Sequence, residues 1–167
     1  KKILKYFKDL FTESSIQKTQ LFIATHSEHV LSEALSDKTN NLVIVLTENG
    51  GVISAKKIDA PSVLPSITNA ETNYLAFDIV SNDYHIELYG WLQQKESKNT
   101  VKSCDDFIKN NSFYNSTTHG KASSFGTTTY VTLCTYIRNA IDHPDPSRTY
   151  TEEQLRISTE LLIQLCR

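Results

Sequence analysis

The chain has 167 residues, of which 39% are hydrophobic and 22% charged, with a formal net charge of -2. That profile suits one ordinary domain or two small ones able to bury a core, and the even mixture of signs argues against a broad electrostatic footprint for DNA or RNA. No apolar run approaches the length of a membrane span, the longest being the strand-sized Leu42 to Leu46.

In chain order, Ile3, Leu4, Tyr6, Phe7, Leu10 and Phe11 recur at helical spacing with lysines between them, which predicts an amphipathic helix. After the polar stretch Thr12 to Thr19, the short apolar run Gln20 to Ala24 predicts a buried strand ending in Thr25, His26 and Ser27. Ser27 can cap a helix whose apolar positions are Val30, Leu31, Ala34 and Leu35. Leu42 to Leu46 predicts a second buried strand, and Asn49-Gly50-Gly51 predicts a tight turn into Val52 to Ile58, with Lys56 and Lys57 on a solvated strand edge. Ala60-Pro61 to Pro65 is a proline-punctuated link, beyond which the pattern becomes helical. Helices are expected at about Asn69 to Gln94, with a possible break at Ser81-Asn82-Asp83, then at Cys104 to Lys109, Thr127 to Asp142 and Thr151 to Cys166. The interval Asn110 to Gly126, rich in Asn, Ser, Thr and Gly, is expected to be a long loop. The fold class expected is α+β: a first part at 1–60 of helix, strand, helix and hairpin, a linker at 61–68, and a small all-α bundle at 69–167.

The segment QLFIATHSEHVL resembles the end of the nucleotide-binding core in ABC-type ATPases of the RecF, SMC and OLD branch. The resemblance covers roughly the first 60 residues and implies that His26 contacts the γ-phosphate of ATP, bound with Mg in a longer parent protein. The tip of a buried strand in an α/β sheet does face the ligand crevice, so the role is physically sensible. A plainer alternative is that Thr25, His26 and Ser27 only cap a helix. The chain has no GxxxxGK[ST] loop, no signature loop and no Asp-Glu pair closing an apolar strand, so no ATPase activity is expected of it alone. His119-Gly120-Lys121-Ala122-Ser123 is not such a loop, because alanine follows the lysine and no strand is expected before it.

The stretch Tyr136 to Pro144 contains Arg138, Asn139 directly after it, and His143 after four intervening residues. This resembles the ribonuclease motif of HEPN domains, small helical modules that are commonly dimeric, many of which cut RNA without a metal. The resemblance covers about Asn69 to Arg167 and implies catalytic roles for Arg138, Asn139 and His143, RNA or DNA as partner, a homodimer, and a place in bacterial defence. An imidazole can move a proton near neutral pH, and a guanidinium can meet the crowded phosphate charge. Five residues put Arg138 and His143 about 140° apart on an ideal helix, so a helix that breaks at Pro144 or a site shared by two copies is required. In the purely structural alternative, Arg138 pairs with Asp142 one turn on and His143 caps the helix. A third reading makes the bundle an interaction module without catalysis.

Several other residues are expected to be structural. Tyr74, Phe77, Tyr84, Tyr89 and Trp91 read as core, since no Lys or Arg lies among them to favour base stacking. Asp83, His85 and Glu87 lack a partner ligand cluster, so no metal site is expected, and they read as surface or packing residues. Cys104, Cys134 and Cys166 form no CxxC pair, which predicts free thiols, a buried Cys134 and a reducing, cytoplasmic setting. The chain opens at Lys1, contains no methionine and lacks a signal-peptide pattern, so a start upstream of Lys1 is expected.

Overall fold

A computed structural model of the chain describes residues 2–13, 16–17, 20–37, 39–58 and 62–167. The fold is α+β, and the chain divides into two compact units: Lys1–Ser62 with Ser66–Asp78, and Val63–Pro65 with Ile79–Arg167. No helix among the described residues is long and apolar enough to cross a membrane.

The first unit begins with α1 (Lys2–Phe11), the expected amphipathic helix, followed by the short antiparallel pair β1 (Thr12–Glu13) and β2 (Ile16–Gln17). The strand expected at Gln20 to Ala24 is absent. Residues 20–27 have no regular structure, and Phe22 is 82% exposed with Leu21 and Ile23 also exposed. A fully apolar strand is held by ladders to neighbours on both sides, and among the described residues none pairs with this segment.

Ser27 stands at the N-cap of α2 (Glu28–Ser36) without a side-chain cap bond. Next come β3 (Ile44–Asn49) and β4 (Val52–Lys57), an antiparallel hairpin whose connecting Gly50 and Gly51 have φ of 60° and 83°. Two consecutive positive φ values match the right-handed twist of the strands and exclude most side chains, which is why Asn-Gly-Gly signals this turn. Within its strands Val45 alone is half-buried, and the buried residues are Val43 and Ile58 at the hairpin's open end. Val43, Leu35 and Ile58 form the unit's core with Leu31, Ala34, Val45, Ile67 and Leu75 around them. Because strand side chains alternate, Leu42, Ile44 and Leu46 point the other way and are exposed, as is Ile53 opposite Glu48.

α3 (Asn69–Phe77) packs on α2, with Asn73 Nδ2 donating to Glu28 Oε2 at 2.8 Å. The residues 69–78 therefore group with the first unit, whereas the sequence suggested a division at 61–68; residue 61 of that link lies outside the described ones. The physical reason is that α2 and the open end of the hairpin need a further layer, and α3 supplies Leu75. α3 stops at Asp78, whose φ of 56° lets its N–H bond back to the carbonyls of Asn73 and Tyr74.

In the second unit α4 (Asn82–Lys95) packs along α8 (Glu152–Cys166), with α5 (Val101–Lys109) and α7 (Leu133–Asp142) completing the helical core. The break expected near residues 81–83 is the interval between α3 and α4, where Ser81 caps α4 by accepting from the Tyr84 N–H at 3.2 Å. Tyr84 and Tyr89 are buried as expected, Tyr74 and Trp91 half-buried, and Phe77 exposed. His85 is wholly buried, its Nε2 2.8 Å from Ser158 Oγ, so it joins α4 to α8, while Asp83 beside it is exposed. The unit is not all-α. Residues 110–126 are not a long loop: they hold α6 (Ser116–His119) and β5 (Gly120–Phe125), which pairs with β6 (Thr128–Thr132) across the two-residue loop Gly126-Thr127. β6 takes the place of the first turns of the helix expected from Thr127. Its sequence, Thr-Thr-Tyr-Val-Thr, is β-branched and aromatic, and that composition favours a pleated, half-buried strand.

Candidate functional site

The second unit brings the C-terminal end of α7, the tip of the β5–β6 hairpin and the segment 143–151 together. α7 starts where β6 ends, and the junction is fixed by a wholly buried carboxylate. Asp105 on α5 accepts from the N–H groups of Val131 (3.0 Å) and Thr132 (3.1 Å) and from the Thr132 hydroxyl (2.7 Å). Thr132 in turn caps α7, accepting from the Thr135 N–H at 3.2 Å, and Thr135 Oγ1 lies 3.0 Å from Tyr89 Oη. A buried carboxylate with this many donors is satisfied rather than orphaned, so the start of α7 is rigidly set. The helix ends at Asp142: Pro144 disfavours helical backbone in the residue before it, and His143 has φ -131° and ψ 76°. The 140° separation on an ideal helix therefore does not apply to His143.

Arg138 is 23% exposed and is gripped by its own helix. One guanidinium nitrogen lies 2.6 Å from Asp142 Oδ2 and another donates to Asn139 Oδ1 at 2.9 Å. Asn139 is buried. The helical ion pair of the structural alternative is thus formed, and it is formed inside the motif. The His143 backbone N–H donates to the Asn139 carbonyl at 3.0 Å, and its exposed imidazole stacks on the Phe125 ring with centroids 4.7 Å apart and planes 26° apart. On the same ring rests the Arg148 guanidinium, 5.2 Å from the centroid.

The segment bearing Arg148 is braced at several points. Asp145 accepts from the Ser147 N–H (2.8 Å) and hydroxyl (2.7 Å), and the Arg148 N–H donates to the Asp145 carbonyl at 2.8 Å. Those bonds with Ser147 hold the Asp145 carboxyl below the usual carboxylate range. The Thr149 carbonyl accepts from Lys121 Nζ and from Tyr136 Oη, both at 3.0 Å, while Lys121 also lies over the Tyr136 ring at 3.9 Å. Partial burial lowers the Lys121 ammonium pKa. Lys121 thus anchors the segment 143–151, which leaves the stretch around it a strand rather than a phosphate loop. Gly120 is required beside it because a Cβ would run into the Ser116 backbone carbonyl.

His26 is exposed in the irregular stretch 20–27, where the Ser27 N–H donates to Thr25 Oγ1 at 3.0 Å. Far apart in the sequence, His26 and the Arg138–His143 group belong to different units. His26 stands outside any sheet, and among the described residues no group of three or more His, Cys, Asp or Glu side chains is placed to hold a metal ion. Cys104, Cys134 and Cys166 are free and buried, and burial pushes their thiols up to about 11, 12 and 12, so none is set up as a nucleophile. Phe125 and Arg148 were not singled out from the sequence. Their only signals were an aromatic next to Gly126 and a basic residue shortly after Pro144, and neither shows that the hairpin tip meets α7. Compared with known proteins, the chain matches no family model, no curated protein and no solved structure.

Proposed function

We propose that the second unit is a metal-independent ribonuclease module whose site is the end of α7, with His143 as the proton-transfer group and Arg138 and Asn139 as its supporting polar pair. The observation that carries this reading is that α7 stops at Asp142, leaving an exposed imidazole stacked on Phe125 next to the Arg138–Asn139–Asp142 cluster in a single chain. The chemistry is attack by the RNA 2′-hydroxyl on the adjacent phosphorus. The 2′ oxygen gives up its proton, the O2′–P bond forms, the P–O5′ bond breaks, and the 5′ oxygen takes up a proton. An imidazole can serve either proton transfer, and cations offset the charge that builds on the phosphoryl oxygens. The products are a 2′,3′-cyclic phosphate and a 5′-hydroxyl.

The test is incubation of the chain with RNA in the presence of a chelator, with end-group analysis of the products. Cleavage to cyclic-phosphate ends that falls at least a hundredfold in His143→Ala supports the reading. Equal cleavage by the variant removes it. If RNA stays intact with both proteins while light scattering finds a dimer, the unit is instead an interaction module.

A second reading, for the first unit, is favoured by its exposed apolar residues. Leu42, Ile44, Leu46 and Ile53 on one hairpin face, with the unpaired Leu21, Phe22 and Ile23, are what part of a larger sheet presents when its neighbouring layers are elsewhere. We infer that this unit belongs to an ATP-binding core of a longer protein, in which other residues hold ATP and Mg and His26 contacts the terminal phosphate. Unchanged ATP turnover in that longer protein carrying His26→Ala would sink the assignment.

A further inference from the structure

Two arginines belong to the His143 site, Arg138 on the same helix end and Arg148 over the ring on which His143 stacks, and their surroundings differ in charge. Arg138 is matched at 2.6 Å by the Asp142 carboxylate and spends another donor on Asn139, all within one turn of α7. A phosphate approaching Arg138 has to displace a carboxylate or share the cation with it. Arg148 has no carboxylate within 4 Å among the described residues. The acidic group nearest to it in sequence, Asp145, accepts from the N–H and hydroxyl of Ser147 and acts on Arg148 only as a more distant charge, without an ion pair. Arg148 is also held in place: its backbone is tied to Asp145, the next residue's carbonyl is clamped by Lys121 and Tyr136, and its guanidinium lies on the ring that carries the His143 imidazole. The guanidinium lies over the ring at 5.2 Å from its centroid, and it carries more N–H donors than a ring contact uses, so it can still meet phosphate oxygens.

We propose that Arg148, which shares the Phe125 ring with His143, is the cation that contacts the substrate phosphodiester, and that Arg138 is a positioning residue that fixes the end of α7 through Asp142 and Asn139. This assignment rests on the ribonuclease reading and names which side chain that site turns toward RNA. Phe125 acts through its two neighbours: it keeps the imidazole and the guanidinium on one platform.

The experiment uses the whole chain and a fluorescein-labelled single-stranded RNA. Anisotropy titrations over a series of KCl concentrations give the slope of log affinity on log salt, and cleavage assays with chelator give kcat and KM. Losing one phosphate contact on a single strand lowers the magnitude of that slope by about 0.7, with affinity falling alike on U-rich and A-rich RNA. Arg148→Ala and Arg148→Gln are expected to show this loss together with a raised KM. Arg138→Lys is expected to keep the slope while lowering kcat, because it preserves charge but not the paired geometry to Asp142 and Asn139. An unchanged slope and KM in both Arg148 variants, with the slope falling in Arg138→Ala, overturns the proposal. If Arg148 controls the slope while His143→Ala cleaves like the wild type, the phosphate contact stands and the ribonuclease reading falls; if the wild type binds no RNA, both fall.

Discussion

The two units solve the problem of burying a small core in opposite ways. In the second, the interior is closed: Tyr84, Leu88, Leu92, Ile108, Ile137, Leu161 and Leu162 are essentially inaccessible, and the polar groups among them, Asp105, Thr132, Thr135, His85 and Ser158, have partners in one another. In the first, Leu35, Val43 and Ile58 make the buried hydrophobic cluster among the described residues, and one face of the β3–β4 hairpin leaves Ile44, Leu46 and Ile53 open beside Glu48 and Lys57. The difference teaches where stability resides. Polar groups buried in the second unit are costly to disturb, whereas the exposed apolar residues of the first contribute little until something covers them.

The largest effect is expected at Asp105. Replacing it with Ala strands the N–H groups of the buried Thr132 and the half-buried Val131, and loosens the start of α7. A loss of about 3 kcal/mol or more is expected in urea unfolding followed by circular dichroism. Asp105→Asn keeps an acceptor and should lose clearly less. A cost below about 1 kcal/mol for the alanine variant would mean that the interior of the second unit is far wetter than its geometry indicates, and the contrast between the units would weaken.

The next effect is a pH dependence centred on His85. Burial lowers its pKa from 6.5 to about 3. The unfolded chain therefore takes up this proton before the folded one does. Its contribution to stability is complete above pH 6.5 and declines as the pH falls toward 3, at about 1.4 kcal/mol per pH unit within that window. Its Nδ1 has no partner among the described residues, which offers nothing there to stabilise the imidazolium. Unfolding midpoints measured between pH 7 and pH 4 should fall steeply for the wild type and more gently for His85→Gln. Parallel curves would show that other groups dominate the acid response.

Several local features of both units were legible in the sequence, though not where the units divide. The helical periodicity of α1, the Asn49-Gly50-Gly51 turn, the polar break before α4 and the buried Cys134 all follow from local rules, because spacing, turn chemistry and residue size act within a few positions. What was not legible depends on partners. Gln20 to Ala24 has the composition of a buried strand, and a strand forms only when another strand supplies the ladder. The hairpin of β5 and β6 was hidden because Ser, Thr and Gly read as loop until the alternation of Thr128, Tyr130 and Thr132 is weighed as a half-buried strand. At the candidate site, the helix end and the Arg138–Asp142 pair were within reach, since both lie in one stretch. Phe125 and Arg148 were not, as they reach His143 through the pairing of a hairpin and a braced turn.

The smallest effect is expected on the open face of the first unit, and it tests the comparison most sharply. Leu46 is 68% exposed and lies on β3 opposite Ala55, so Leu46→Thr keeps a strand-favouring side chain while removing apolar surface. For a side chain that stays in water, the change in unfolding free energy should stay within about 0.5 kcal/mol, and self-association by light scattering should diminish. A loss well beyond that would mean that this face is already covered in solution, so that the first unit closes its core through contact with another chain. In the longer protein proposed for this unit, the same substitution should become costly, because a covered Leu46 forfeits burial that the exposed residue never had.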